Sequence, residues 1–293
     1  MTNRLFTRAL VTAAAMLAAL PAAVAQNDSS RLVAIGGSVT EIVYALGAED
    51  RLIARDTTSV FPEAANDLPD VGYMRALSPE GVLSVDPTLI VTLEGSGPPE
   101  ALEVLEKARI PMVVVPDRFD EEGLLQKISI IGDVLGMPES AAALSKKVQA
   151  KIDAAQKATS GIGERKKVLF VLSLQGGRIL ASGSGTAADG MIKIAGAQNA
   201  VTEYAGYKQL TDEAVIEAAP DVILAMDRSG DHATKVDDLL AHPAIAATPA
   251  GRAHNIVRMD GSFLLGFGPR TGEAAYDLAR ALYGNLVVEQ KEP

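Results

Sequence analysis

The sequence predicts an α/β protein made of two Rossmann-like lobes, each with a mainly parallel sheet, joined by one long rigid helix. Three observations support this fold class. Short β-rich runs alternate with helical runs in each half of the chain, which is typical of parallel sheets covered by helices. A long helical run without any strand separates the two halves, and similar helix–strand segments recur on either side of it.

In the first half, strands are predicted at residues 32–37, 51–56, 89–94 and 110–117, and helices at 39–46, 79–85 and 99–108. The middle of the chain carries helices at residues 121–135 and 139–159. At about 1.5 Å per residue, the second of these is on the order of 30 Å long, and it predicts a strut that limits closure of the lobes. In the second half, strands are predicted at 168–174, 178–182, 221–227 and 255–260, and helices at 187–194, 212–218, 236–240 and 271–283.

The two halves contain related segments. Residues 77–91 can be laid over residues 210–224, and five of the fifteen pairs are identical. Each copy begins with a Ser or Thr that can cap a helix, continues with an acidic residue in the first turn, and ends in Pro and a strand. The offset of 210 − 77 = 133 residues therefore favours two similar lobes.

The N-terminus predicts a secretory signal peptide over residues 1–25. Arg4 and Arg8 precede an apolar stretch at residues 9–20, and Ala23 and Ala25 form an A-x-A cleavage pattern. The predicted lobes follow at residues 26–136 and 165–293, with the connecting helix at 137–164. Because the sequence has no Cys, an N-terminal lipid anchor on Cys is excluded and the periplasm is the expected compartment.

Composition and motifs narrow the possible functions. The formal net charge of −10 argues against nucleic acid as a partner. No nucleophile elbow, zinc-protease motif or P-loop is present. The Gly-rich turns at residues 36–40 and 183–186 give only a weak dinucleotide signal, so an enzyme that uses these turns is the less favoured alternative.

Tyr73 and Arg75 lie in the segment that precedes the first repeated helix, where the strand ends of an α/β lobe usually hold a ligand. A Tyr-x-Arg pair at this place fits either ordinary surface packing or a ligand-binding role, and its spacing leaves both interpretations open.

Residues 72–81 (GYMRALSPEG) and 266–271 (GFGPRT) resemble the periplasmic haem-binding proteins of Gram-negative haem importers. Residues 35–42 (IGGSVTEI) and 185–189 (GTAAD) extend the resemblance over most of residues 31–284. The motif of the repeated helix is shared with cobalamin and siderophore binders, and these ligands remain alternatives within the same fold. Residues 72–75 are what narrow the choice to haem.

The resemblance implies a role for individual residues. Tyr73 is expected to be the axial ligand of ferric haem b, since a phenolate oxygen suits ferric iron. Arg75 is expected to pair with the phenolate or a propionate. Arg228 is expected to contact the tyrosine or the propionates from the second lobe. Some relatives carry a His where this chain has residues 174–177 (LQGG), and its absence here favours one haem per protein.

The same resemblance implies that Glu80 and Glu213, which occupy equivalent places in the repeat, each contact one subunit of an ABC permease dimer. That permease would work with ATPase subunits in the inner membrane, and the binding protein would act as a monomer without catalysis. Arg270 is expected to organise the start of the last helix, or to face the cleft.

Overall fold

The computed structural model describes residues 30–227 and 235–284. Its strands are β1 Leu32–Ile35, β2 Leu52–Arg55, β3 Leu89–Leu93, β4 Met112–Val115, β5 Lys167–Gln175, β6 Arg178–Ser182, β7 Gln198–Asn199, β8 Tyr207–Leu210, β9 Val222–Asp227 and β10 Ile256–Asp260. Its helices are α1 Gly37–Ala45, α2 Pro79–Leu83, α3 Pro99–Lys107, α4 Glu121–Val134, α5 Pro138–Ala158, α6 Ala187–Ile194, α7 Asp212–Ala218, α8 Val236–Ala241, α9 Pro243–Ala246, α10 Pro249–Arg252, α11 Gly261–Leu265 and α12 Thr271–Tyr283.

The first sheet has the order β2-β1-β3-β4, and all its strands run parallel. Strands β1 and β3 are buried along their whole length, because helices cover both faces of a parallel sheet and leave no polar side. The carboxyl ends of the four strands therefore meet at one edge of the sheet, and residues 117–120 after β4 line a cavity shared with the second lobe.

The second sheet has the order β10-β9-β5-β6-β8, with β7 paired to β5. Within this sheet β6 runs against its neighbours, since it pairs antiparallel with both β5 and β8, while the other pairs are parallel. The prediction of two α/β lobes with mainly parallel sheets is confirmed.

Helix α5 is the connecting strut. Pro138 begins it at a position where a missing N–H costs nothing, and the helix packs against α4 on one side and α12 on the other. One apolar core cluster runs from Leu32 of the first sheet through Ile128 and Ile152 to Leu278 and Phe170 of the second lobe. The lobes therefore share a continuous core along the strut.

Some elements were not predicted, namely β7, β8, α9, α10 and α11. Strand β8 has three exposed residues out of four at the sheet edge, so its sequence shows no apolar alternation. The signal peptide predicted at residues 1–25 lies outside the part of the chain that the structure describes, and the lobe boundaries drawn from the sequence stay predictions.

Candidate ligand-binding cleft

Tyr73 and Arg75 lie on a loop that leaves the carboxyl end of β2 and returns before α2. Hydrogen bonds close the base of this loop, from the Thr57 N–H to the Gly72 carbonyl at 3.0 Å and from the Gly72 N–H to Asp70 Oδ1 at 2.8 Å. Gly72 has φ of 105°, a region that residues with a Cβ rarely adopt. The Tyr73 side chain is exposed, and its hydroxyl accepts a hydrogen bond of 3.0 Å from Arg75 Nη1.

Tyr207 lies on β8 of the second lobe, and its side chain is 37% exposed. Burial raises the pKa of its phenol, while the Thr186 hydroxyl, the Ala188 backbone N–H and the positive charge of Arg75 act in the opposite direction. Its ring makes an edge contact with Phe170, with centroids 6.4 Å apart. The Phe61 ring of the same loop lies against the Arg270 guanidinium, whose carbon is 3.6 Å from the ring centroid, so this loop borders the second lobe.

Tyr207 is not among the site residues predicted from the sequence, although the sequence contains a signal for it. A Gly-Tyr dipeptide stands a few residues before the start of each repeat, which begins at Leu77 in the first half and at Leu210 in the second. Gly72 precedes Tyr73 and Gly206 precedes Tyr207, and both glycines have positive φ, 105° and 79°. Extending the overlay a few residues upstream, with one gap, would have aligned the two tyrosines.

A cavity of about 390 Å³ opens between the lobes at the end of β4. It is lined by one segment of each lobe, namely Asp117, Arg118, Phe119 and Asp120 of the first and Gly185, Thr186, Asp189, Gly190 and Lys193 of the second. Both cations in this lining are paired with carboxylates, Arg118 with Asp120 at 2.9 Å and Lys193 with Asp189 at 2.7 Å. The cavity does not include Tyr73.

Backbone amides of the two Gly-rich turns donate hydrogen bonds to nearby carboxylates. The Gly36 N–H donates to Asp56 at 3.0 Å, and the Gly185 N–H donates to Asp189 at 2.9 Å. Thr186 caps α6 by accepting from the Asp189 N–H at 3.1 Å. These two turn amides therefore already have carboxylate acceptors within the protein.

Two polar connections cross from the first lobe to the segment before α12. Arg270 binds Glu41 through both carboxylate oxygens, at 3.0 Å and 2.5 Å. The fully buried Lys127 ammonium donates to Asp117 at 2.7 Å and to the Phe267 carbonyl at 3.3 Å. Arg270 was expected at the start of the last helix or facing the cleft; it precedes α12, and its guanidinium joins the lobes.

Glu41 illustrates the balance of forces at this junction. Burial raises the pKa of its carboxyl above the ordinary value of 4.5, and this effect outweighs the hydrogen bond and the charge of Arg270. Glu273 and Asp260 add smaller contributions in the same upward direction. The bidentate geometry suggests a strong ion pair, yet the cost of removing the carboxylate from water is the larger effect.

Glu80 and Glu213 stand in the first turns of α2 and α7, and both are exposed. The Ser78 hydroxyl donates to Glu80 at 2.7 Å and, with the backbone N–H of Glu80, lowers the pKa of that carboxyl. For Glu213, its own backbone N–H and then Thr211 lower the pKa in the same way. Equivalent negative charges therefore stand at matching places on the two lobes.

Arg228 lies outside the described residues. Within residues 30–227 and 235–284, no group of three or more His, Asp or Glu side chains could hold a metal ion. In the same part of the chain, no helix combines the length and apolar character needed to cross a bilayer.

Solved structures with similar folds were identified. The periplasmic haem-binding protein BhuT in complex with two haems is 40% identical, with a TM-score of 0.83, and the match covers 88% of this chain and 99% of that chain. The periplasmic haem-binding protein RhuT from Roseiflexus sp. RS-1 is 38% identical, with a TM-score of 0.83 and the same coverage. HutB of Vibrio cholerae, also a periplasmic haem-binding protein, is 37% identical, with a TM-score of 0.78, covering 87% of this chain and 99% of that one.

Sequence relatives are more distant. The uncharacterised ABC transporter substrate-binding lipoprotein YvrC of Bacillus subtilis is 27% identical over 267 residues, which are 90% of this chain and 83% of that protein. A vitamin B12-binding protein of Vibrio campbellii is 25% identical over 205 residues, covering 70% of this chain and 73% of that protein. The sequence family described as periplasmic binding protein matches residues 32–262, well over half of the sequence. The structure agrees with this match, since it has two α/β lobes, a connecting helix and a cleft between the lobes. The chain therefore belongs to the periplasmic binding protein family.

Proposed function

We propose that this chain captures haem in the cleft between its lobes and delivers it to an ABC importer in the inner membrane. The observation that carries the proposal is the exposed Tyr73 phenol, which accepts a hydrogen bond of 3.0 Å from Arg75 on a loop that borders the second lobe. Similarity of 37% to 40% identity with three haem-binding proteins supports haem over other ligands of this fold.

The proposed chemistry is capture without catalysis. Tyr73 supplies an anionic oxygen to the iron of ferric haem b, the transported ligand, and a phenolate is a known haem ligand. Arg75 provides the positive charge that compensates the phenolate, or that pairs with a propionate. Arg228 is proposed as a second-lobe contact on the strength of the sequence resemblance alone.

The number of haems per protein is part of this proposal. The BhuT structure contains two haems, whereas the sequence here has no His within residues 174–177. We propose one haem per protein on that ground. A titration that saturates at two equivalents would contradict this number while leaving haem capture itself intact.

The test is a visible absorption titration with hemin. The wild-type protein should take up about one equivalent and show a tyrosinate-type spectrum, and Tyr73→Phe should lose most of that spectrum because the oxygen ligand is gone. Tyr44→Phe is the matched control, since Tyr44 lies near the C-terminal end of α1 and not on the Tyr73 loop. Wild-type binding by Tyr73→Phe would show that another group ligates the iron.

The second candidate function is transport of cobalamin or a ferric siderophore. It is favoured by the similarity to a vitamin B12-binding protein, although at only 25% identity. Retention of cobalamin or a ferric siderophore, together with no hemin spectrum, would decide for this candidate.

We further propose that Glu80 and Glu213 dock the carrier on the two subunits of the permease, whose ATPase subunits drive release. Their support is the matching position of the two carboxylates in the repeat and their exposure. Basic groups on the two permease subunits would complement these charges. The carrier is proposed to act as a monomer.

The proposed location is the periplasm, reached through a cleavable signal peptide at residues 1–25. The family to which the chain belongs supports this location. The relative YvrC is a lipoprotein, whereas the sequence here contains no Cys that could carry a lipid, so a soluble periplasmic form is proposed.

A further inference from the structure

The loop that carries Tyr73 also exposes two apolar side chains. Val60 is 44% exposed and Phe61 is 41% exposed, close to the 43% of Tyr73 itself. Three of the seven large exposed apolar or aromatic side chains of the described residues thus belong to this one loop. Leaving such surface in water costs free energy in proportion to its area, so a ligand that covers it gains that free energy.

The exposure is not a sign of a loose segment. The buried Asp56 carboxylate accepts hydrogen bonds from the Gly36 N–H at 3.0 Å, the Thr58 N–H at 3.0 Å and the Ser59 hydroxyl at 2.7 Å. The Asn66 side chain donates to the Val60 carbonyl at 3.2 Å. A turn fixed by its own polar groups therefore holds the two apolar side chains outside the core.

One face of the Phe61 ring is already occupied. The guanidinium carbon of Arg270 lies 3.6 Å from the ring centroid, which is a stacked position, and 5.2 Å from the Phe263 centroid. Glu41 holds that guanidinium through two hydrogen bonds, so the cation cannot swing away. Because Arg270 comes from the second lobe, the stacked ring lies where the two lobes meet, and 41% of the Phe61 surface stays exposed despite this contact.

We propose that Phe61 is a stacking wall for the planar, apolar macrocycle of the ligand, and that Arg270 is the residue that positions it. This inference rests on the proposed capture of haem. A porphyrin offers a large flat π-surface, and aromatic rings pack on such surfaces in offset stacks or edge contacts that contribute beyond the buried area alone. A cation on one face fixes the plane of the ring and leaves the other part free for the ligand.

Phe61 would therefore recognise the macrocycle, while Tyr73 recognises the iron. The two residues lie on one connection between β2 and α2, whose ends meet at the hydrogen bond from the Thr57 N–H to the Gly72 carbonyl. A metal-free porphyrin separates the two roles, because it has the same flat surface and no iron for the phenolate.

The experiment compares hemin with protoporphyrin IX in absorption and fluorescence titrations of the full protein. Phe61→Leu keeps apolar bulk and removes the ring, and it should raise the Kd for both ligands about tenfold while leaving the tyrosinate-type hemin spectrum in place. Arg270→Lys keeps the charge but loses the planar stack, and it should weaken both ligands in the same direction. Tyr73→Phe should weaken hemin and leave protoporphyrin IX unchanged.

Val104→Ala is the control, since Val104 is similarly exposed but lies on α3. Phe61→Leu is expected to melt within about 4 °C of wild type, because the ring is 41% exposed and the substitution removes only its stacking on Arg270, worth about 1 kcal/mol. Wild-type affinity of Phe61→Leu for both porphyrins would overturn the inference and leave haem capture standing; it is also the result expected if a protein partner covers this ring. If the wild-type protein binds neither porphyrin, the proposed function and this inference both fail.

Discussion

Replacing Lys127 by Met tests how firmly the two lobes are joined. The Lys127 ammonium is fully buried, and it donates to Asp117 at 2.7 Å, to the Ser38 hydroxyl at 3.1 Å and to the Phe267 carbonyl at 3.3 Å. Methionine has a similar length and no charge. The substitution therefore leaves the Asp117 carboxylate without its cation and two oxygens without a donor.

The expected cost follows from the burial of the partner. Removing one member of a buried ion pair costs about 3–5 kcal/mol, because the remaining charge stays out of water. The Asp117 side chain keeps 16% of its surface exposed, so water can reach the carboxylate and the low end of that range applies. A loss of about 3 kcal/mol corresponds to a fall in melting temperature of roughly 6–12 °C for a chain of this size.

The measurement is thermal and urea unfolding of wild type and Lys127→Met followed by circular dichroism. Lys107→Met is the matched control, because the side chains of Lys107 and its partner Glu103 are 77% and 67% exposed and such pairs contribute about 0–1 kcal/mol. Adding Asp117→Asn to Lys127→Met should recover part of the loss, since the orphaned charge is removed. A Lys127→Met protein as stable as the Lys107→Met control would refute the reasoning.

Two further predictions concern other carboxylates. Because the pKa of Glu41 is raised in the folded state, its contribution to stability is complete below the ordinary pKa of 4.5 and is lost as pH rises through the folded pKa. In urea unfolding, the stability advantage of wild type over Glu41→Gln should therefore shrink between pH 4 and pH 7. An advantage that grows with pH would mean that the ion pair with Arg270 outweighs the cost of burial. Changing both Glu80 and Glu213 to Ala should leave hemin binding intact and abolish hemin transfer to the permease in proteoliposomes. Glu100 is an exposed residue in the first turn of α3, and the control variant Glu100→Ala should transfer hemin normally. Unchanged transfer by the double variant would contradict the docking proposal.

The fold class was predictable because its signals are local. Strands β1 and β3 are continuous apolar runs between helical runs, and α5 is a long sequence of strong helix formers that begins at Pro138. Strand β8 was missed because an edge strand needs no apolar side, and its place depends on pairing with β6. Pairing between distant segments leaves no periodic signal in the sequence.

The site was predictable only in part. Tyr73 and Arg75 could be found because both belong to one short segment with a recognisable motif, and the structure brings their side chains within hydrogen-bond distance. The contact of Arg270 with Glu41 joins residues 229 positions apart and could not be read from either neighbourhood. The motif at residues 266–271 marked the segment, but which partner its arginine meets depends on how the lobes pack.

The lobe junction has a consequence for how this carrier selects its ligand. A rotation that opened the lobes would have to separate Arg270 from Glu41 and the Phe267 carbonyl from Lys127, and it would disturb the apolar core shared along α5. The fully buried Lys127 ammonium would lose one of its acceptors in such a motion, and a buried charge without its partners costs free energy. Small opening motions are therefore resisted more strongly than the loss of one hydrogen bond would predict. The sequence-based prediction that α5 limits closure rests on a separate property, the stiffness of one long helix. Both constraints favour a cleft whose shape is set before the ligand arrives, so we expect discrimination to come from fixed side chains such as Phe61 and Tyr73 rather than from closure around the ligand.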